Sequence, residues 1–216
     1  MEKDSLKTDF NLEGRLIDMS PADHGATHTQ DEWIGYFNDR NELMISMPVL
    51  YLAAKSNNLE LLDSLKEDFN DRSFILSTRI YYDKGKKARI IHNYGSKLVK
   101  PDEHKVIIPD FSYVSVKDVL KTKEGLRYLQ VLFGTKDNAQ QIQETLMRLR
   151  NCDIKTVCVK TYGLKYRPDK AACCVEEFLD LNFEISDCSS SDYYGRSRGV
   201  HINTAGETQK SRLEKN

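Results

Sequence analysis

The sequence predicts an α+β protein with an N-terminal helical part, a β-hairpin, two central helices and a C-terminal βαβ unit followed by an added strand. Three observations support this fold class. Apolar residues recur at helical spacing between residues 29 and 72. At Phe74 the pattern changes to β-branched and aromatic runs, which are typical of strands. From Ile154 an apolar run, a helical pattern and a second apolar run follow one another, which is the order of a βαβ unit.

The length, the composition and the residue patterns predict the domain organisation. The chain has 216 residues, of which 39% are hydrophobic and 30% charged, so one domain with a helical appendage is expected. The patterns divide it into a flexible acidic arm (1–28), a helical subdomain (29–72), an α+β domain (73–203) and a disordered tail (204–216).

Charge is unevenly distributed along the chain. The 32 basic and 33 acidic residues nearly cancel, which argues against a whole-protein field that attracts nucleic acid or membranes. Residues 1–32 hold three basic and eight acidic side chains, a net charge of −5, whereas residues 79–105 hold eight basic and three acidic ones, a net charge of +5. An anionic partner is therefore expected to dock on the middle segment.

The cysteines and the hydropathy pattern indicate the compartment. Five cysteines without CxxC spacing indicate free thiols in a reducing environment. No run of 18 apolar residues and no signal peptide are found, so the sequence predicts a soluble cytoplasmic protein without a membrane partner. His24 and His28 are four apart, but Gly25 lies between them and both precede the predicted helix. We therefore expect no metal site, and no motif points to a cofactor.

The first predicted helix has a clear start. Thr29-Gln30-Asp31-Glu32 has the spacing of a capping box, in which the Thr29 hydroxyl and the Glu32 carboxylate each accept a hydrogen bond from the other residue's backbone N–H. Trp33, Ile34 and Phe37 then form one apolar stripe.

Two more helices follow. One begins near Ser46 with Pro48 in its first turn, and the next begins near Asn58 with Leu59, Leu62 and Leu65 on one face. Residues 47–65 resemble an ankyrin unit. The pattern does not repeat, so a helix pair packed on the main core is the simpler interpretation.

The runs FILSTRIYYD and ARIIHNY, separated by Lys84 to Lys87, predict a β-hairpin. Side chains alternate along a strand, so Arg79 and Tyr81 share a face, and one register would bring Arg79 close to His92. A short strand, KVIIP, follows this hairpin. Ser115 then opens a region of two helices that Gly134 separates.

The last third gives the βαβ prediction in detail. IKTVCVKTY predicts a strand, residues 168–181 predict a helix with Ala171, Val175 and Phe178 on one side, and FEIS predicts a second strand. A final strand is expected at residues 200–203.

Gly195-Arg196-Ser197-Arg198-Gly199 has the spacing of a nucleophile elbow. That motif needs a strand before the serine, a helix after it, and an acid and a histidine further along the chain. Here the polar segment SSSDYY precedes the motif, and His201, the sole histidine after Ser197, lies only four residues away in a predicted strand, so a serine hydrolase is not expected. Two interpretations stay open. The glycines let backbone N–H groups converge beside Arg196 and Arg198 to bind an anion, or the segment is a solvated turn.

A second candidate site lies at the end of the hairpin. His92 and Asn93, flanked by Arg79 and Arg89, have the chemistry of a general base, an orienting amide and a charge clamp. The simpler alternative is that they form hydrogen bonds at a strand end. Aromatic residues interleave with the basic ones in this region, which also suits a platform for single-stranded nucleic acid. Half-exposed hairpins carry the same residue types for structural reasons.

Three functional classes follow. The preferred hypothesis is a basic cleft that binds a phosphorylated, nucleotide or nucleic-acid ligand through Arg79, Arg89, His92, Asn93, Arg196, Ser197 and Arg198. The first alternative is a non-catalytic module that binds a protein partner through the N-terminal helices, which an exposed stripe of Trp33, Phe37, Tyr51 or Leu62 would favour. The second is a nuclease or phosphotransfer-type enzyme, which requires a carboxylate near His92 or a metal-holding cluster.

Overall fold

The computed structural model describes most of the chain, in the ranges 10–12, 15–19, 27–69, 73–83, 87–108, 113–149, 156–160, 170–178, 182–188 and 194–203. The helices within these ranges are α1 (Gln30–Asp39), α2 (Met47–Lys55), α3 (Leu59–Phe69), α4 (Val116–Val119), α5 (Lys123–Leu132) and α6 (Ala139–Leu149). The strands are β1 (Phe10–Leu12), β2 (Arg15–Met19), β3 (Leu43–Met44), β4 (Phe74–Tyr82), β5 (Lys87–His92), β6 (Asp102–Ile107), β7 (Tyr113–Ser115), β8 (Thr156–Lys160), β9 (Lys170–Phe178), β10 (Asn182–Cys188) and β11 (Gly199–Asn203). The α+β prediction is confirmed.

The strands form two sheets. One has the order β1-β2-β11-β3, and the other has the order β6-β5-β4-β9-β10-β8-β7. Apart from the parallel pair β8 and β10, neighbouring strands of the larger sheet run antiparallel. None of the helices in the described ranges is long and apolar enough to cross a membrane.

The larger sheet has two different faces. Leu76, Ile80 and Ile90 belong to the main core together with buried residues of α2, α3, α5 and α6. Ile75 belongs instead to a second cluster with Trp33, Ile34 and Phe37 of α1. Because side chains alternate along a strand, α1 lies on the opposite side of the sheet from the other helices. We call these sides the helical face and the α1 face.

The helix predicted at residues 168–181 is wrong. Residues 170–178 form strand β9, which pairs with β4 on one side and β10 on the other. Hydrogen bonding to two neighbouring strands overrides the helical spacing of Ala171, Val175 and Phe178, because tertiary context outweighs local propensity in so short a segment. The flanking strands β8 and β10 are nevertheless parallel neighbours, as a βαβ unit would have made them.

The N-terminal segment also differs from the prediction. Residues 10–12 and 15–19 were expected in a flexible arm, but they form the β1–β2 hairpin, and β2 pairs with β11. The predicted strand at residues 200–203 is therefore confirmed and has a long-range partner. The predicted tail, 204–216, lies outside the described residues.

The helix starts agree with the predicted signals. Thr29 is the N-cap of α1: Glu32 Oε2 accepts a 2.8 Å hydrogen bond from the Thr29 N–H, and both halves of the capping box are present. Ser46 and Ser115 are the N-caps of α2 and α4, and Pro48 lies in the first turn of α2. One detail differs in α3, where Leu59 in the first turn is 69% exposed while Leu61 is buried.

The register of the β4–β5 hairpin separates two predicted neighbours. Arg79 lies directly opposite Ile91, which aligns Thr78 with His92. Arg79 and His92 are therefore on opposite faces of the sheet. The prediction that their side chains lie close together is wrong, because the actual register is shifted by one residue from the one it assumed.

Candidate functional site

Ser197 is a buried structural residue. Its backbone segment runs beside the start of β4, where Arg196 N donates to Ser73 O at 2.9 Å and Ile75 N donates to Arg196 O at 2.8 Å. The Ser197 hydroxyl donates to Ile75 O at 2.8 Å, and the side chain is fully buried. A hydroxyl that is shielded from solvent and bound to a backbone carbonyl is not placed to attack a substrate.

The two motif glycines lie in closely packed positions. A Cβ at Gly195 would lie 2.3 Å from the backbone oxygen of Ser73, so close packing requires glycine there. A Cβ at Gly199 would lie 2.2 Å from Glu42 Oε2, so the Glu42 side chain would have to move. His201, further along β11, places Nε2 2.9 Å from Glu42 Oε1. The GxSxG spacing therefore reflects how residues 195–199 pack between β4 and the α1–β3 corner.

Replacing Gly195 by alanine should lower the free energy of unfolding by about 1 to 3 kcal/mol, because the new methyl group must displace the Ser73 backbone. Urea denaturation measures the loss. Gly35→Ala is the matched control, since an added Cβ there contacts nothing within 4 Å and the residue lies inside α1. The control should gain up to about 1 kcal/mol. A stable Gly195→Ala protein would contradict the packing explanation.

Arg198 forms a buried ion pair with α3. It is 3% exposed, and its Nε donates to Asp68 Oδ2. Its Nη2 donates to Ser64 O at 3.0 Å and to Ser64 Oγ at 2.7 Å. Neighbouring Arg196 is half-buried, and its Nε has no hydrogen-bond partner among the described residues.

Arg79 is held on the α1 face by three groups. Its Nε donates to Gln30 Oε1 at 2.6 Å, its Nη2 donates to Asp31 Oδ1 at 2.6 Å, and its guanidinium carbon lies 3.8 Å from the centre of the Tyr94 ring. With 1% exposure, Arg79 is fully enclosed. It therefore joins α1 to the sheet and is not accessible to a ligand.

His92 is a neutral structural histidine on the helical face. Nε2 lies 3.0 Å from Val131 O, and a carbonyl only accepts, so Nε2 carries the proton. Nδ1 then accepts from the Thr78 hydroxyl at 3.1 Å, while Thr78 Oγ1 accepts from Met47 N at 2.9 Å. Burial lowers the pKa of His92 to about 4. Both nitrogens are engaged within the protein, so His92 is not positioned as a general base.

The predicted ligand residues therefore do not form one cleft. The backbones of 194–198 and β4 do lie side by side, as the hypothesis required. The side chains then diverge, with Arg79 on the α1 face, His92 on the helical face and Arg198 against α3. Asn93, half-exposed, takes a left-handed backbone conformation (φ 53°) in the turn after β5.

Arg89 is partly accessible, with 36% of its side chain exposed. Its guanidinium carbon lies 5.1 Å from the centre of the Tyr81 ring, and Tyr81 Oη donates to Tyr94 Oη at 3.2 Å. Tyr94 in turn contacts Arg79. These four residues form an arginine–tyrosine ladder across the α1 face. Burial, reinforced by the hydrogen bond to Tyr94, raises the pKa of Tyr81, so Tyr81 remains an uncharged phenol at neutral pH.

Two exposed lysines adjoin the ladder. Lys105 on β6 lies directly opposite Arg89, and Lys87 lies two residues before Arg89 on the same face. We call Lys87, Arg89 and Lys105 the basic row. Asp83 and Glu103 approach Arg89 to 3.8 and 3.7 Å, which is too far for hydrogen bonds. The sequence did not single out either lysine, although the net charge of +5 over residues 79–105 indicated a basic surface here.

The turn that carries Tyr94 is fixed to α1. Asn38 Nδ2 donates to Gly95 O at 2.9 Å, and Asn38 Oδ1 accepts from Lys97 N at 2.9 Å. Gly95 has φ 70°, and a Cβ there would lie 2.8 Å from Ile34 Cγ2, so the position requires glycine. The backbone of Lys97, whose side chain is exposed, is therefore fixed against α1 three residues after Tyr94.

The α1 face offers a surface for binding more than a cavity. A small cavity of about 10 Å³ beside Tyr94 is lined by Ile34, Asn38, Met44, Ser77, Tyr94 and Ser96. It is far smaller than the roughly 300 Å³ at which small-molecule sites begin.

Among the described residues, no group of three His, Cys, Asp or Glu side chains is arranged to hold a metal ion. No protein-family model, curated protein or solved structure matches this chain.

Proposed function

We propose that the protein binds an anionic ligand on the α1 face, at the basic row of Lys87, Arg89 and Lys105, without catalysing a reaction. The observation that carries this proposal is the direct opposition of Arg89 and Lys105 on neighbouring antiparallel strands. Like charges in that position destabilise a sheet by a few tenths of a kcal/mol. An anion bound between Arg89 and Lys105 would attract both cations and so offset their mutual repulsion.

The nearby carboxylates do not prevent this. Asp83 and Glu103 are half-exposed and contact Arg89 at 3.8 and 3.7 Å. Exposed ion pairs of this kind contribute roughly 0 to 1 kcal/mol, so an anionic ligand with several charges can replace them. The three cations of the basic row also exceed these two carboxylates by one charge.

The two alternative functions have less support. Trp33, Phe37, Tyr51 and Leu62, whose exposure would have favoured a protein-binding stripe, are all buried in the core. The enzyme alternative required a carboxylate near His92 or a metal-holding cluster. Asp102 does lie opposite His92 on β6, but both ring nitrogens of His92 are bound to Thr78 and Val131, and the described residues contain no metal-holding group.

The test uses two probes, a fluorescein-labelled 16-nucleotide single-stranded DNA followed by anisotropy and inorganic tripolyphosphate followed by calorimetry. We expect the double variant Arg89→Gln, Lys105→Gln to bind the DNA at least tenfold more weakly in 50 mM NaCl, because two charge contacts are lost. The affinity of the unaltered protein should fall steeply between 50 and 200 mM NaCl.

The matched control removes two charges elsewhere. Lys117 and Lys136 are exposed residues of α4 and of the α5–α6 connection, and Lys117→Gln, Lys136→Gln should leave affinity within about twofold. Glu103→Gln should strengthen binding, since it removes a competing carboxylate from Arg89. If neither probe binds in 50 mM NaCl, or if the two double variants bind equally, the proposal is wrong.

A further inference from the structure

We infer that the anionic ligand is a single-stranded nucleic acid, which runs from the basic row along the arginine–tyrosine ladder to Lys97. This inference rests on the proposed function and adds the class and the path of the ligand. Its basis is that the basic row lies at the Arg89 end of the ladder, that two partly exposed tyrosines follow it, and that the exposed Lys97 comes three residues after Tyr94 in the chain.

The spacing of the cations favours a polymer. β5 is a six-residue strand from Lys87 to His92, and at about 3.3 Å per residue it covers roughly 17 Å. Tyr94 and Lys97 follow beyond its end. The phosphates of one nucleotide do not reach from Lys87 to Lys97, so a ligand that uses both must contain several nucleotides.

The tyrosines favour nucleic acid over other acidic polymers. Tyr81 and Tyr94 are both partly exposed, with ring centres 6.2 Å apart and an angle of 52° between the rings. Stacking of a base on an aromatic ring contributes about 1 to 3 kcal/mol and tolerates any base. An acidic peptide or polyphosphate uses the cations but gains nothing comparable from the phenol rings.

The backbone of the turn that carries Lys97 is ordered before any ligand binds. Both hydrogen-bonding groups of the Asn38 amide engage the turn, one at Gly95 O and the other at Lys97 N. Ser96 Oγ also accepts from Leu98 N at 3.1 Å. Because this backbone is already ordered, ligand binding there has to order only the Lys97 side chain.

The experiment measures the affinity for single-stranded DNA and RNA of 2, 4, 8 and 16 nucleotides in 50 mM NaCl. We expect affinity to rise at least tenfold between 2 and 8 nucleotides, as the ligand reaches Lys97. Lys97→Gln should weaken binding of the 16-mer by about three- to tenfold and leave binding of the dinucleotide unchanged, with Lys136→Gln as the control. Tyr81→Leu should weaken the 16-mer but not tripolyphosphate. Circular dichroism confirms that each variant is folded.

The outcomes separate the two proposals. Equal affinity for 2 and 16 nucleotides, or no effect of Lys97→Gln on the 16-mer, would overturn the polymer path while the anion site at Arg89 remains. Equal competition by a 16-residue polyglutamate peptide would replace nucleic acid by an acidic polypeptide as the partner. Failure of every anion to bind would overturn the proposed function together with this inference.

Discussion

Replacing Arg198 by methionine should lower the free energy of unfolding by about 3 to 5 kcal/mol, because it removes the arginine that pairs with a buried carboxylate. Asp68 is fully buried, and Arg198 Nε donates to its Oδ2. The same change removes the donor to Ser64 O and Ser64 Oγ. Urea denaturation followed by circular dichroism measures the loss at pH 7.

Two further variants distinguish the effect of losing the ion pair from the effect of changing the side-chain volume. Arg196→Met removes an arginine two residues away that is half-buried and has no hydrogen-bond partner for Nε among the described residues, so it should cost less than about 1 kcal/mol. Combining Arg198→Met with Asp68→Leu should recover part of the lost stability, since no charge is then buried alone. A loss below about 1 kcal/mol for Arg198→Met would contradict the importance of this pair.

The free energy of unfolding should decrease by about 3 kcal/mol as the pH falls from 6.5 to 4, because His92 is neutral in the folded state. Its pKa is lowered from 6.5 to about 4 by burial, and each unit of difference corresponds to about 1.4 kcal/mol. Below pH 6.5 the unfolded chain takes up a proton that the folded protein does not accept. The contribution of His92 to the free energy of unfolding is therefore fully present above pH 6.5 and is lost as the pH falls towards 4.

Comparison with His92→Gln isolates this contribution. The variant should be less stable at pH 7, because it disturbs the hydrogen bonds to Thr78 and Val131, but its stability should change less between pH 6.5 and 4. The carboxyl groups of Asp118 and Asp137 also have lowered pKa values, but they are present in both proteins, so the comparison cancels their contribution. Parallel pH curves for the two proteins would contradict the assignment.

Local signals predicted the helical part of the fold well. The capping box at Thr29, the proline after Ser46 and the N-cap at Ser115 each depend on residues within a few positions, and each marks an observed helix start. The error at residues 170–178 has the opposite origin. β9 is a strand because β4 and β10 hydrogen-bond to it on both sides, and β4 lies about a hundred residues earlier in the chain.

The candidate site shows the same limit. The net charge of residues 79–105 correctly indicated a basic segment, but the choice between Arg79 and Arg89 depended on contacts with α1. The partners of Arg198 lie about 130 positions away in α3. Gly195 has no local reason for its identity, since the backbone of Ser73 imposes it across the fold. Pairings at such separations leave no trace in local spacing.

The position of β11 has a consequence for biosynthesis. This strand lies between β2 and β3, although both of those are encoded near the start of the chain. During synthesis on the ribosome, the edges of β2 and β3 that pair with β11 stay unpaired until residues 199–203 emerge. Unpaired strand edges can form hydrogen bonds with other chains. The small sheet is therefore completed only after nearly the whole described chain has been translated, and a truncation before Gly199 would leave β2 and β3 without the strand that joins them.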